Sequence, residues 1–105
     1  MIPFVTITLD KVYKLRFGMG AMVEFEQLTG IKIMSIQKEL SIDICAKLLW
    51  IMLKQEDATL TFEKTCQLVD ENAENITDVI QAVSKAMQVA FEKSGNIPNA
   101  GKPKK

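Results

Sequence analysis

The sequence predicts an α+β fold, in which an N-terminal β-hairpin is followed by about four helices and most of the domain is helical. Apolar and polar residues alternate in the first two runs, and the spacing of apolar residues becomes helical at about residue 19. Capping residues and glycines then divide the chain into helical segments. At 105 residues, the chain is expected to form one globular domain over residues 1–95, followed by a disordered polar and basic tail over residues 96–105.

Two short runs near the N-terminus predict the hairpin. Residues 4–9 (FVTITL) and 12–17 (VYKLRF) alternate in polarity and flank Asp10-Lys11, which we interpret as a two-residue connection. The Asp-Lys pair offers no glycine for the positive φ that such turns favour. Since an isolated hairpin is marginal in water, we expect it to pack on helices, on further strands or on another copy.

Gly18 and Gly20 lie where the second strand gives way to a helix, a junction at which phosphate-binding loops also occur. The later glycine of the dinucleotide fingerprint is missing, as is the Gly-Lys-Ser/Thr of the P-loop. We therefore interpret these glycines as a strand-to-helix turn. The helix is expected to end at Gly30. Residues 31–40 (IKIMSIQKEL) suit either a short strand or a loop with one helical turn.

Three polar residues mark the starts of the remaining helices. Ser41 is the expected N-cap of a helix over about residues 42–54, which is apolar nearly all round. Such a helix is either the central helix of the fold or a subunit contact. Thr61 is the expected N-cap of the next helix. Asn75 opens the last one, a clearly amphipathic helix that is expected to end at Gly95.

Charge and residue usage argue against several function classes. Thirteen basic and thirteen acidic residues cancel, and the single arginine is Arg16, so specific nucleic-acid binding is disfavoured. The lysines at the end of the tail suggest a solvated terminus or a weak nucleic-acid contact. The absence of histidine removes the commonest general base and metal ligand, and no nucleophile has a recognisable base. We expect no enzymatic activity, cofactor or metal.

Cysteine usage and hydropathy bear on the compartment. Cys45 and Cys66 are interpreted as two buried free thiols in a reducing cytoplasm, with a disulfide or redox pair as the alternative. The N-terminus lacks the basic region of a signal peptide, and the longest apolar run, residues 48–53, is too short to span a bilayer. We expect a cytoplasmic protein with no membrane partner.

Apolar residues on the predicted helices supply a candidate protein interface. The six methionines either fill gaps in the core or form an adaptable binding groove, and the only tryptophan is either a core residue or an interface hot spot. The candidate interface residues are Met19, Met22, Phe25, Trp50, Met52, Met87 and Phe91.

The order of these segments resembles the tail assembly chaperones of long-tailed phages and prophages of Gram-positive bacteria. The resemblance covers about residues 7–91. It is carried by Arg16-Phe17-Gly18 and by residues 24–30 (EFEQLTG), 48–53 (LLWIML) and 60–63 (LTFE). These motifs mark positions in the fold rather than contacts with a partner.

The resemblance implies a non-enzymatic assembly factor. Such a protein binds the tape measure protein and keeps it soluble during tail tube assembly in the cytoplasm of the infected or lysogenic host, and it is absent from the mature virion. Many members also exist as a longer, frameshifted form, which is a further potential partner. The neutral chain and its very apolar helix fit a homo-oligomer that binds an extended or helical client.

The last three residues bear on the longer, frameshifted form. Pro103-Lys104-Lys105 can be encoded as CCA-AAA-AAG, which contains a slippery run for a −1 frameshift.

The main alternative function is a small protein-binding regulatory adaptor of a mobile element, whose gene would have regulatory neighbours. A small enzyme would require a pocket with convergent polar groups and perturbed carboxylates.

Overall fold

The computed structural model describes residues 4–36 and 41–94, with side chains described through residue 91. An N-terminal antiparallel hairpin is followed by four α-helices, which confirms the α+β prediction. The elements are β1 (Phe4–Thr8), β2 (Val12–Arg16), α1 (Met19–Thr29), α2 (Ile42–Leu53), α3 (Phe62–Asn72) and α4 (Ile76–Ser94), with a 3-10 turn at Ile33–Ser35.

The hairpin packs one face on helices, as the alternation requires. Its register runs from Phe4 opposite Arg16 to Thr8 opposite Val12, so alternate side chains share a face. That inner face lies against α2 and α4. Its side chains, buried or half-buried, are Val5, Ile7, Tyr13 and Leu15.

The turn of the hairpin differs from the prediction, because it contains three residues rather than two. Leu9 leaves the strand, its backbone N–H donates to the Lys11 carbonyl (2.9 Å), and its side chain is buried. No non-glycine residue in the described part of the chain has a positive φ. The additional residue thus closes the hairpin without the conformation that Asp10-Lys11 would adopt only at a cost.

Helix α2 is the centre of the fold, as the first of the two alternatives for this segment predicted. Seven of its twelve residues are buried, and it contacts β2 and the three other helices. A helix that is apolar nearly all round has to be covered on most sides, and here the cover comes from the chain's own elements.

The three predicted N-caps are confirmed, since each side chain accepts a hydrogen bond from a backbone N–H three residues later. The bonds run from Ile44 N to Ser41 Oγ (3.2 Å), from Lys64 N to Thr61 Oγ1 (3.0 Å) and from Asp78 N to Asn75 Oδ1 (2.9 Å). These caps fix the residues at which α2, α3 and α4 begin.

Of the glycines predicted to form turns, Gly18 and Gly30 lie at the two ends of α1, whereas Gly20 is inside the helix. Gly18 is extended (φ −82°, ψ −178°) and precedes α1, and Gly30 ends α1 in the left-handed conformation (φ 75°). The ambiguous segment forms a loop with one 3-10 turn as far as Ile36. Its residues 37–40, the helix end at Gly95 and the polar tail lie outside the described residues.

Candidate protein-binding groove

The structure distributes the seven predicted interface residues between the core and the surface. Phe25 and Met52 are completely buried, and Met87 and Phe91 are 4% and 9% exposed. These four side chains are covered by the chain's own residues and present no surface to a partner in this fold. They fill the core, the other role that their spacing predicted.

The remaining three residues do not form one patch. Met19 is 79% exposed at the start of α1, with Val23 one turn further along the same helix, also exposed. Met22 and Trp50 are half-buried against the core. Of the predicted residues, Met19 alone is largely free to contact another protein.

Trp50 holds α2 to the segment that leads into α3. Its indole N–H donates to the Leu60 carbonyl (3.0 Å), and its ring meets Phe62 edge-on with centroids 6.0 Å apart. Lys54 Nζ lies 4.6 Å from the centroid of the Trp50 ring and also pairs with Glu24 of α1. These contacts give Trp50 a structural role, since both its polar and its apolar parts are engaged within the chain.

An apolar groove that the sequence patterns do not predict lies between α2, α3 and the beginning of α4. Its volume is about 130 Å³. Its floor consists of buried residues from all three helices, and Asp70 is the charged residue among the side chains that line it. The floor residues are Cys45, Leu49, Thr65, Val69 and Val79.

Two isoleucines form the rim of this groove. Ile42 is 60% exposed and Ile76 is 47% exposed, and both line the groove. Each is the first residue of its helix and directly follows the capping residue, Ser41 or Asn75, that fixes where the helix begins. Large apolar side chains that remain exposed around an apolar groove favour contact with a partner, because covering them removes apolar surface from water.

The two cysteines line the same groove from different helices. Both are free, as predicted; Cys45 of α2 is buried, whereas Cys66 of α3 is only half-buried. Burial raises the pKa of both thiols, and the nearby Asp70 carboxylate raises that of Cys66 further. The thiols are therefore protonated at neutral pH and act as small apolar lining groups rather than nucleophiles.

The signal for the rim residues was present in the sequence but weak. In Ser41-Ile42-Asp43 and Asn75-Ile76-Thr77, an isoleucine occupies the first helical position, where its side chain precedes the stripe that packs on the core. Periodicity alone assigned Ile76 to the apolar stripe of the last helix. Its exposure depends on where the stripe of α4 meets its neighbours, which is a tertiary property.

In the described residues, no group of three or more cysteine and carboxylate side chains is arranged to hold a metal. None of the helices over those residues combines the length and the apolarity needed to cross a membrane. Comparison with protein-family models found no match, and neither the curated proteins nor the solved structures gave a significant one. Function is therefore inferred from the groove together with the resemblance of the sequence.

Proposed function

We propose that this protein is a non-enzymatic phage tail assembly chaperone that binds the tape measure protein and keeps it soluble while the tail tube assembles. The observation that carries the proposal is the open apolar groove with Ile42 and Ile76 exposed at its rim. The resemblance of the sequence supplies the identity of the client.

The size of the groove indicates what it accepts. Its volume of about 130 Å³ is close to that of an apolar cavity of about 150 Å³ that holds one benzene molecule. One large apolar side chain of a client helix fits such a groove, while the rim isoleucines contact its neighbours one turn away. A site for a single side chain binds weakly, so many copies along a long client are needed for stable coating.

The exposed face of α1 provides a surface for association between copies. Met19 and Val23 leave apolar surface in water one helical turn apart. In the proposed function, copies bound along one client contact each other through this face. Analytical ultracentrifugation over a range of concentrations tests the self-association, with Met19→Asp expected to weaken it; a strict monomer at high concentration would contradict it.

The proposed function requires a tape measure gene near the gene of this chain, and co-expression with that tape measure protein tests the client site. The double variant Ile42→Asp/Ile76→Asp places charge at the rim, and acidic residues are favourable in the first turn of a helix, so the fold is expected to persist. Met34→Asp is the matched control, since Met34 is an exposed apolar residue that lies outside both the groove and α1. The readout is the fraction of client that stays soluble and copurifies with the protein.

We expect the double variant to lose most of the soluble client and Met34→Asp to retain client binding. A double variant that solubilises the client as well as the unmodified chain would show that the groove is not the client site. If the unmodified chain fails to solubilise the client, the chaperone function itself is rejected.

The nucleotide sequence around the Pro103 codon and downstream provides a second test. A slippery run with an overlapping −1 frame, followed by a very long helical reading frame, would support a chaperone made in two forms. Codons that are not slippery would reject only the longer form. Regulatory neighbours without a tape measure gene would favour the adaptor of a mobile element instead.

A further inference from the structure

A second groove, with a volume of about 380 Å³, runs along the free edge of β1. On the strand side it is lined by residues 6–9, and on the other side by the corner between α3 and α4. The described sheet has two strands, so β2 occupies one edge of β1 and no strand pairs with the other. The second groove is thus bordered by an open strand edge.

An open edge presents backbone groups that are available for pairing. In an antiparallel pair, about half of the N–H and C=O groups of each strand point away from its partner. The outer edge of β2 is partly used, since Gln55 Nε2 donates to the Arg16 carbonyl (2.8 Å). The edge of β1 faces the second groove instead, and strand edges of this kind accept an added strand from another protein.

The side chains of the second groove indicate what such a strand would carry. Ile7, Val79 and Ala82 supply apolar lining, whereas Glu74 and Asp78 place two carboxylates along the helical side. No basic residue is among the lining residues, and neither carboxylate has an ion-pair partner in the described part of the chain. Because successive side chains of a strand point to opposite faces of a sheet, one set of an added strand would face the helical side, where the stem of a lysine or arginine can lie on Val79 and Ala82 with its charge at Glu74 or Asp78. The other set would continue the outer face of β1, where Thr6 and Thr8 lie.

We propose that the edge of β1 binds an extended segment of a partner protein in which apolar residues alternate with lysine or arginine. The added strand pairs through its backbone with β1, and its basic side chains face Glu74 and Asp78. The binding mode differs from that of the apolar groove, which takes a helix, and it does not depend on the proposed chaperone function.

The experiment uses the isotope-labelled full chain and a short synthetic peptide of alternating lysine and valine. We expect NMR shift changes at the amides of residues 6–9 and 78–82. A peptide with glutamate in place of lysine, and one with N-methyl groups at every second backbone nitrogen, are each expected to bind about tenfold more weakly, since each loses one of the two sources of affinity. Raising the salt concentration from about 50 mM to about 500 mM should also weaken the binding of the lysine peptide, because salt screens the attraction between exposed charges.

Glu74→Gln tests the charge at the site. It is expected to lower the affinity for the lysine peptide about threefold, which is the size of effect that an exposed charge pair implies. Glu63→Gln is the matched control, because Glu63 is an exposed carboxylate of α3 that does not line the second groove. Shift changes that avoid β1, or equal binding of the N-methylated or glutamate peptide, would overturn the proposal.

Discussion

Tyr13 shows how one buried side chain links the hairpin to pH. It is 3% exposed on the inner face, and its hydroxyl donates to Asp10 Oδ1 (2.8 Å) in the turn. Burial, and then the hydrogen bond and negative charge of Asp10, raise the pKa of Tyr13 to about 12. The neutral phenol is therefore part of the folded state.

The raised pKa of Tyr13 predicts a loss of stability at high pH. The unfolded phenol titrates near about pH 10, so between about pH 10 and pH 12 the unfolded chain has lost a proton that the folded chain still holds. The contribution of Tyr13 to the free energy of unfolding is complete below about pH 10 and disappears as the pH rises through about 12. Since the chain has one tyrosine, phenolate absorbance measures this pKa directly.

The control for this prediction is Tyr13→Phe. Urea unfolding at about pH 9 and about pH 11 should show a smaller loss of stability for the variant than for the unmodified chain, because lysine titration is common to both proteins. Equal losses would mean that Tyr13 does not contribute to the pH dependence.

Trp50→Phe separates the polar role of this residue from its apolar one. The variant keeps an aromatic ring near Phe62 and Lys54 but removes the donor to the Leu60 carbonyl. We expect a loss of about 1–2 kcal/mol in the free energy of unfolding, measured by circular dichroism in urea. An unchanged free energy would show that water replaces the indole N–H at no cost.

At the scale of the element, a glycine inside α1 and the glycine that ends it predict opposite effects of the same substitution. A Cβ at Gly20 or at Gly30 would meet no atom within 4 Å, so packing does not decide either case. Gly20 lies within the helix, and Gly20→Ala should stabilise the protein by about 0.5–1 kcal/mol. Gly30 has φ 75°, a left-handed conformation that alanine adopts only at a cost, so Gly30→Ala should destabilise the protein by about 1–2 kcal/mol.

Thermal or urea unfolding of the two glycine-to-alanine variants shows whether they change the free energy of unfolding in opposite directions. Gly30→Asn should cost less than Gly30→Ala, since asparagine tolerates the left-handed conformation better. A stabilising Gly30→Ala would show that the backbone at residue 30 is not held in that conformation in solution.

The start of α2 depends on its cap. Ser41→Ala removes the acceptor for Ile44 N and should cost about 1 kcal/mol, whereas Ser41→Gly should cost only a few tenths. Urea unfolding measures both variants. Because Ile42 follows the cap, the alanine variant should also weaken client binding through fraying at the rim. If the Ser41→Ala protein is destabilised but binds the client normally, the cap does not contribute to client binding.

At the scale of the whole molecule, thiol accessibility reports how tightly α2, α3 and α4 close around the groove. Cys66 should react with iodoacetamide faster than Cys45, because Cys45 is 7% exposed whereas Cys66 is half-buried. Both should react more slowly than glutathione, since burial raises their pKa. Peptide mass spectrometry over time measures both rates.

A helical client in the groove should protect Cys66 from alkylation, and the Ile42→Asp/Ile76→Asp variant should lose this protection. Faster reaction of Cys45 than of Cys66 in the absence of a client would mean that α2 separates from its neighbours more readily than the fold indicates.

The sequence determined the local features of this protein. The change from alternation to helical spacing set the element order, and Ser41, Thr61, Asn75 and Gly30 set helix boundaries, because capping depends on residues only a few positions apart. The nearly all-apolar α2 also implied a covered helix. Ambiguity remained in residues 31–40, where a short apolar run fits more than one structure.

Only the tertiary structure decided which apolar residues face outward. Phe25, Met52 and Ile76 all fit apolar faces of their helices, yet the first two are buried and Ile76 is at the rim of a groove. The groove and the open edge of β1 arise where segments distant in sequence meet and leave space uncovered. Periodicity within one helix records which side is apolar, but not how far its neighbours extend along it.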